Sequence, residues 1–192
     1  MKIDILTVGP IGTNCYIVSD ANKKCAVIDP GDEADRIVDF LDDKGLTCEY
    51  ILLTHGHFDH IGALEQVKRA TGASLVMNAA DRGRIKLSPE ILCADGDEIA
   101  VGDNLFSVIA TPGHTEGGVC YKCGDSLFSG DTLFCDSVGR TDLPGGDFET
   151  LRRSLLKLRD LPDADLKVYP GHMESTTLAH EREFNPFIEK RV

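Results

Sequence analysis

Three histidines and an aspartate, His55, His57, Asp59 and His60, fall within six residues. They follow a short apolar run at residues 50–53 and precede a helical pattern. The chain has six histidines in all, so half of them crowd into one loop. Alternate residues of an extended loop project to the same side. His55, His57 and Asp59 can therefore converge, and His60, at the start of the next helix, can reach the same place from another angle. Imidazole and carboxylate together suit Zn, Fe or Mn. Four such residues exceed what one catalytic ion with an open position takes, which points to two ions. Any fold for this chain must bring further ligands to this loop.

Candidates for those ligands stand after other apolar runs. His114 lies in Thr111-Pro-Gly-His-Thr115, Asp131 in Ser129-Gly-Asp-Thr132 and His172 in Tyr169-Pro-Gly-His172. Each follows a Gly, which lets the backbone turn sharply and present the next side chain.

The runs at 2–8, 15–19, 25–28, 50–53, 74–77, 105–110, 119–122, 126–129 and 167–169 predict strands. Ala34, Ile37, Val38 and Leu41 predict an amphipathic helix that Gly45 ends. Ile61, Leu64 and Val67 predict a second helix that stops at Gly72. Residues 79–100 are polar and broken by Ser88-Pro89 and Asp95-Gly96, and predict a loop with a helical turn. Asp147 predicts the cap of a helix whose inner face carries Phe148, Leu151, Leu155 and Leu158, and a last helix is expected over 176–188. This order suits a layered α/β sandwich with functional loops at strand ends. It does not suit a dinucleotide-binding fold, since no GxGxxG follows the first strand.

Composition narrows the partners. Net charge is −12, from 32 acidic against 20 basic residues. Nucleic-acid surfaces need a basic stripe to replace counterions, so no nucleic-acid partner is expected. The charge gives no support for docking on anionic lipid, and no apolar run is long enough to span a bilayer. An Asp and a Gly-Pro pair interrupt the N-terminal segment, so no signal core is expected, and the chain is placed in the cytoplasm. Seven cysteines without the spacing of a disulfide scaffold are expected as free thiols. Cys120 and Cys123 form a CxxC, but residues three apart on a strand face opposite sides and cannot readily pinch one metal.

The motifs THxHxDH (residues 54–60), PGH (112–114), SGDTLF (129–134) and PGH (170–172), in that order, resemble the metallo-β-lactamase superfamily over nearly the whole chain. The resemblance implies a four-layer αβ/βα sandwich, expected here as one domain over residues 1–192. It implies His55, His57 and His114 as ligands of a first ion, Asp59, His60 and His172 as ligands of a second, and Asp131 as the bridge. The cofactors implied are two divalent ions, zinc foremost, with iron or manganese also suited. His180 matches no ligand position.

Within the superfamily the segments at 130–134 and 137–142, with Asn185-Pro186, resemble the glyoxalase II-type thioesterases. These cleave S-acyl glutathione thioesters, typically S-lactoylglutathione, with water activated between the ions, and Asp59 is expected to orient that nucleophile. A small-molecule thioester is the expected partner. The further C-terminal helical domain that binds glutathione in full-length enzymes is not expected in this chain. Glu116 and Met173 stand beside ligand positions where many relatives have Pro and Gly. Arg140 and Asp142 are expected to form a structural ion pair, and Cys135 a buried inert thiol.

The strongest rival is a persulfide dioxygenase of the same fold. It shares a GRTD segment like that at 139–142 and uses one iron on two His and one Asp, here His55, His114 and Asp131. A flavodiiron oxygen reductase would place Glu at position 57, and β-lactamases usually place Cys at position 131.

Overall fold

The computed structural model describes residues 1–162 and 166–188. Its first half runs β1 (Lys2–Val8), β2 (Thr13–Ser19), β3 (Lys24–Ile28), α1 (Ala34–Lys44), β4 (Thr47–Leu52), α2 (Phe58–Ile61), α3 (Leu64–Thr71), β5 (Ser74–Asn78) and β6 (Ile91–Cys93). The second half runs β7 (Glu98–Val101), β8 (Asn104–Ala110), β9 (Val119–Cys123), β10 (Ser126–Gly130), β11 (Leu133–Phe134), β12 (Ser137–Val138), α4 (Phe148–Arg159), β13 (Lys167–Pro170), β14 (Thr176–Thr177) and α5 (Leu178–Phe184). Two six-stranded sheets result, ordered β1-β2-β3-β4-β5-β6 and β14-β13-β10-β9-β8-β7, beside a β11-β12 hairpin.

The layering follows from side chains alternating across each strand. In β2, Cys15 and Ile17 pack with Ile37, Leu41 and Val67 of the α1 and α3 helices. Their neighbours Tyr16 and Val18 face the other way and meet Phe106, Val108, Tyr121 and Phe128 of the second sheet. A third cluster joins Cys120, Leu127 and Val168 to Leu151, Leu155 and Leu158 of α4 and to Leu178 of α5. The chain is thus a mixed α/β sandwich of two central sheets with helices on both outer faces. Cys120 and Cys123 fall in different core layers, so the CxxC is not a metal clamp. Burial pushes the Cys120 thiol up to about 11.

Parallel pairing decides where the loops emerge. β3, β4 and β5 pair in parallel across the helical crossovers, and β10 pairs in parallel with β13 across α4. Parallel strands release their following loops at a common edge. Residues 53–60, 131–132 and 171–173 leave β4, β10 and β13 in this way.

Several elements depart from the sequence reading. The single helix expected around Ile61, Leu64 and Val67 is two, because the chain breaks at Gly62 and Ala63. The Ala63 N–H donates to the Pro30 carbonyl at 3.0 Å, and a Cβ at position 62 would lie 2.3 Å from the Gly31 oxygen. The polar stretch 79–100 carries a 3-10 turn at Ala79–Arg84, and also β6 and most of β7. Both strands are short and sit at sheet edges, so their period is too brief to register. The last helix begins at Leu178, since Thr176 and Thr177 pair with β13, and the Thr177 hydroxyl caps the His180 N–H. It ends at Phe184, ahead of Asn185, which precedes Pro186 and is extended. Among the described residues no helix is long and apolar enough to cross a membrane.

Asp147 caps α4 by accepting from the Thr150 N–H. Leu151, Leu155 and Leu158 are buried, but Phe148, expected on the same inner face, is exposed. Leu155→Ala should therefore cost about 2–5 kcal/mol in urea unfolding, and Phe148→Ala less than about 0.5 kcal/mol. Equal losses would put Phe148 in the core.

Candidate metal centre

Leu53 extends β4 by donating to the Val76 carbonyl at 3.0 Å, and the chain then turns into residues 54–60. His55 is buried, and one ring nitrogen from each of His55, His57 and His114 lies within 4.8 Å of the others. Asp59 and His60 sit on the single turn of α2 rather than on an extended loop, which aims them at a second set. Asp59, His60 and His172 offer donor atoms within the same 4.8 Å limit. Asp131 stands between the sets. Its Oδ1 is 3.3 Å from His60 Nε2, and its Oδ2 is 3.4 Å from His114 Nε2. All seven residues singled out in the sequence meet at this edge of the sandwich.

Two glycines make the approach possible. Gly130 has φ +48°, and a Cβ there would lie 2.3 Å from Thr54 Oγ1. A Cβ at Gly171 would lie 2.2 Å from Asp131 Oδ1 and 2.7 Å from His60 Cε1.

The hydrogen bonds around the rim assign the ring tautomers. His114 Nδ1 faces the Arg140 carbonyl at 2.6 Å, and a carbonyl only accepts, so the proton is on Nδ1. His60 Nδ1 faces Asp29 Oδ2 at 3.0 Å and donates to it. Thr54 Oγ1 donates to Asp29 Oδ2 at 2.5 Å and accepts from His55 Nδ1 at 3.0 Å. All three rings turn Nε2 inward, where that of His114 meets His57 Nδ1 at 2.8 Å. His55 Nε2, His60 Nε2 and Asp131 Oδ1 are buried and have no hydrogen-bond partner. Buried polar atoms normally have partners, and converging lone pairs on imidazole and carboxylate are the donor set of a Zn-, Fe- or Mn-type cation. The residues present therefore fit a metal centre.

The electrostatics divide the two sets. Burial and the neighbouring histidines hold His55 well below its ordinary range. Burial and His114 lower His57 to about 4. Burial also works against a charge on His60, but the carboxylates of Asp131 and Asp29 outweigh it and push its pKa well up. His172 is raised by its hydrogen bond to Asp59. Burial opposes the charge on Asp59, yet that bond and the field of His60 pull it below the usual carboxylate range.

Sequence reading missed two residues. Asp29, in what reads as a turn of Asp-Pro-Gly, is buried and accepts from the Thr54 N–H at 2.8 Å as well as from the Thr54 hydroxyl and His60. Asp81 is fully buried and accepts from the Gly56 and Gly117 N–H groups at 2.9 and 2.8 Å, which ties two ligand loops together. Both acids are ordinary in the sequence, and only their burial marks them.

Other residues fall outside the donor set. Arg140 and Asp142 form the expected ion pair, bidentate at 2.7 Å, and the Arg140 carbonyl is what orients His114. Cys135 is half-exposed rather than buried, and it clusters with Asp136 and His180. Its thiol is pushed up by burial and then by the Asp136 and Glu181 carboxylates. His180 bonds Asp136 at 2.8 Å, apart from the seven. An open cavity of about 600 Å³ lies over the centre, walled by His57, Asp59, His114, Asp131 and His172.

A fold of this layering with this His/Asp centre at its edge defines a metallo-hydrolase type of site, and comparison with known proteins agrees. The chain belongs to the metallo-beta-lactamase superfamily, whose family model matches residues 8–172. It is 39% identical to the probable metallo-hydrolase YqgX of Bacillus subtilis, with 98% of each chain covered. It is 33% identical to the hydroxyacylglutathione hydrolase GloC of Haemophilus influenzae, with 100% of each covered. Among solved structures, the BLEG-1 B3 metallo-beta-lactamase superposes with a TM-score of 0.90 at 35% identity, covering 97% of this chain and 99% of that one. ETHE1 from Myxococcus xanthus gives 0.89 at 33% identity, covering 97% and 84%. TTHA1623, solved in a di-iron-bound form, gives 0.87 at 35% identity, covering 96% and 100%.

Two measurements test the centre. Asp29→Asn should lower Zn affinity about 10–100-fold, the usual effect of removing a partner that orients a ligand; unchanged affinity would leave Asp29 a purely structural acid. A ligand must be deprotonated to bind. In the metal-free protein His60 and His172 have raised pKa values and so hold protons to higher pH than an ordinary histidine, whereas His55 and His57 are held low. Zn titrated into weakly buffered protein at pH 7 should release protons, and His172→Ala should release fewer. That difference should fade as pH rises through the raised pKa of His172. His57 should add to the release only as pH falls towards about 4.

Proposed function

We propose that the centre holds two divalent cations, zinc foremost, and that the chain hydrolyses a thioester such as S-lactoylglutathione. His55, His57 and His114 hold one ion, Asp59, His60 and His172 the other, and Asp131 bridges them. The observation that carries this reading is Asp131, whose two oxygens face histidines of different sets at 3.3 and 3.4 Å. When bound, the ions supply a water made acidic near neutral pH and a Lewis acid for the thioester carbonyl.

The protein's own residues do the rest. Asp29, Thr54 and the Arg140 carbonyl hold His60, His55 and His114 with Nε2 facing inward. Asp59 Oδ2 is fixed by the Thr13 hydroxyl and by His172, both at 3.1 Å, and is the group that orients the attacking water. A thiolate leaves readily, so the site needs no dedicated acid at the sulfur. The GloC relative, aligned over the full length of both chains, supports the thioesterase reading.

A second reading is favoured by the likeness to the ETHE1 structure and by the Gly-Arg-Thr-Asp segment at 139–142. It is a persulfide dioxygenase with one iron on His55, His114 and Asp131. It gives no work to His57, Asp59, His60 and His172, which the fold nevertheless brings to the same place.

Metal-analysed protein incubated with S-lactoylglutathione should release thiol and contain two ions per chain. Oxygen uptake on glutathione persulfide and hydrolysis of a β-lactam serve as parallel arms, the latter because of the BLEG-1 likeness. His57→Ala should lower kcat/KM at least about 100-fold, equivalent to about 2.7 kcal/mol, and reduce bound metal while circular dichroism is preserved. Oxygen uptake with a single iron and no thioester cleavage would overturn the hydrolase, and an active, fully metallated His57→Ala protein would overturn the two-ion centre.

A further inference from the structure

The mouth of the centre is apolar to a degree that neither the hydrolytic chemistry nor the fold demands. Phe58 is 76% exposed, Met173 54% and Ile11 53%, and all three line the cavity over the metal centre. Ile11, Phe58 and Asp59 also wall a second cavity of about 210 Å³ that runs on beneath the β1–β2 turn towards Gly62. The two cavities share Ile11, Phe58 and Asp59 as lining residues. Contiguous exposed apolar surface at a site marks a binding surface for something apolar.

Met173 shows that this surface is maintained against a cost. Its φ is +68°, in the left-handed region that a long side chain rarely adopts. Asn14 holds it there, with its side-chain amide donating to the Met173 carbonyl at 2.9 Å and to the Pro170 carbonyl at 3.1 Å. A glycine would occupy this backbone without strain. The methionine instead projects a flexible apolar chain at the mouth, and strained residues of this kind concentrate at ligand sites.

The charge of the cleft selects among thioesters. Setting the histidines aside, Arg140 is the one described residue lining either cavity with a cationic side chain, and its guanidinium is engaged by Asp142. The second cavity is lined by Asp32 and Asp59 and by no Lys or Arg. A carboxylate on the acyl group would find no cationic partner there, and an uncharged group needs none.

Building on the thioesterase reading, we infer that the surface at Ile11, Phe58 and Met173 is an acyl subsite, and that the site selects thioesters of apolar acyl groups.

The test pairs hydrolysis with binding. kcat/KM is measured on the metal-loaded protein for N-acetylcysteamine thioesters from acetyl to octanoyl and for S-lactoylglutathione. Calorimetry follows the matching S-alkyl thioethers, which cannot be hydrolysed. Both series should rise about threefold to fourfold per methylene, as expected for buried CH₂ groups. Octanoyl should exceed S-lactoylglutathione. Phe58→Ala and Met173→Gly should each reduce the octanoyl-to-acetyl ratio at least about tenfold. Met173→Gly removes strain, so its melting temperature should equal or exceed that of the parent, which separates loss of the subsite from loss of the fold. Cleavage without a chain-length gradient, or with S-lactoylglutathione preferred, would overturn the acyl subsite and leave the thioesterase standing. A gradient in thioether binding with no thioester cleaved would overturn the thioesterase and leave the subsite. Flat binding together with no cleavage would overturn both.

Discussion

One buried carboxylate, Asp29, sets the geometry on which the centre depends. It accepts from the Thr54 N–H and hydroxyl and from His60 Nδ1. Through the Thr54 hydroxyl it also fixes His55. A single group therefore dictates which nitrogen of a histidine in each set carries the proton. Were either ring to turn over, an N–H would point into a space already crowded with imidazoles, and the inward lone pair would be lost. An ionised carboxylate buried without partners would be costly, and here its oxygens are met by donors from the loop it organises.

The second constraint is the sandwich itself. Four loops from both sheets must converge within a few ångströms, and each leaves its strand at the same edge. Gly130 and Gly171 remove the side chains that would collide with Thr54 and Asp131, and Asp81 stitches the loop at Gly56 to the loop at Gly117. The packing leaves His55 and His60 deeply buried, which strengthens every electrostatic interaction there. His57, Asp59 and His172 stay nearer the surface, facing the cleft that a substrate would enter. The same edge thus supplies a rigid floor and an accessible mouth.

At the mouth the design changes character. The floor is polar and tightly bonded, whereas the rim offers Phe58, Ile11 and a strained Met173 to solvent. Apolar side chains exposed beside the centre contribute little folding stability through burial, and in the proposed acyl subsite they would contact the bound chain. Arg140 illustrates the division of labour. Its backbone orients His114 within the floor, while its side chain lies at the rim, paired with Asp142.

Much of this protein is legible in its sequence because metal ligands are chemically rare and strands and helices carry their own periods. His55, His57, Asp59 and His60 stand out by crowding, and His114, Asp131 and His172 by each following an apolar run and a glycine. The amphipathic spacing of Ala34 to Leu41 and the cap at Asp147 are local, so the α1 helix and the start of α4 can be read directly. The tertiary structure alone decided the rest. The break between α2 and α3 exists because Gly62 meets the backbone at Pro30 and Gly31. The short edge strands β6, β7 and β14 exist only through their partners. Asp29, Asp81 and Met173 gain their meaning from burial, from hydrogen bonds to distant loops and from a left-handed backbone. These are properties of how remote segments approach one another, and no local pattern of residues encodes them.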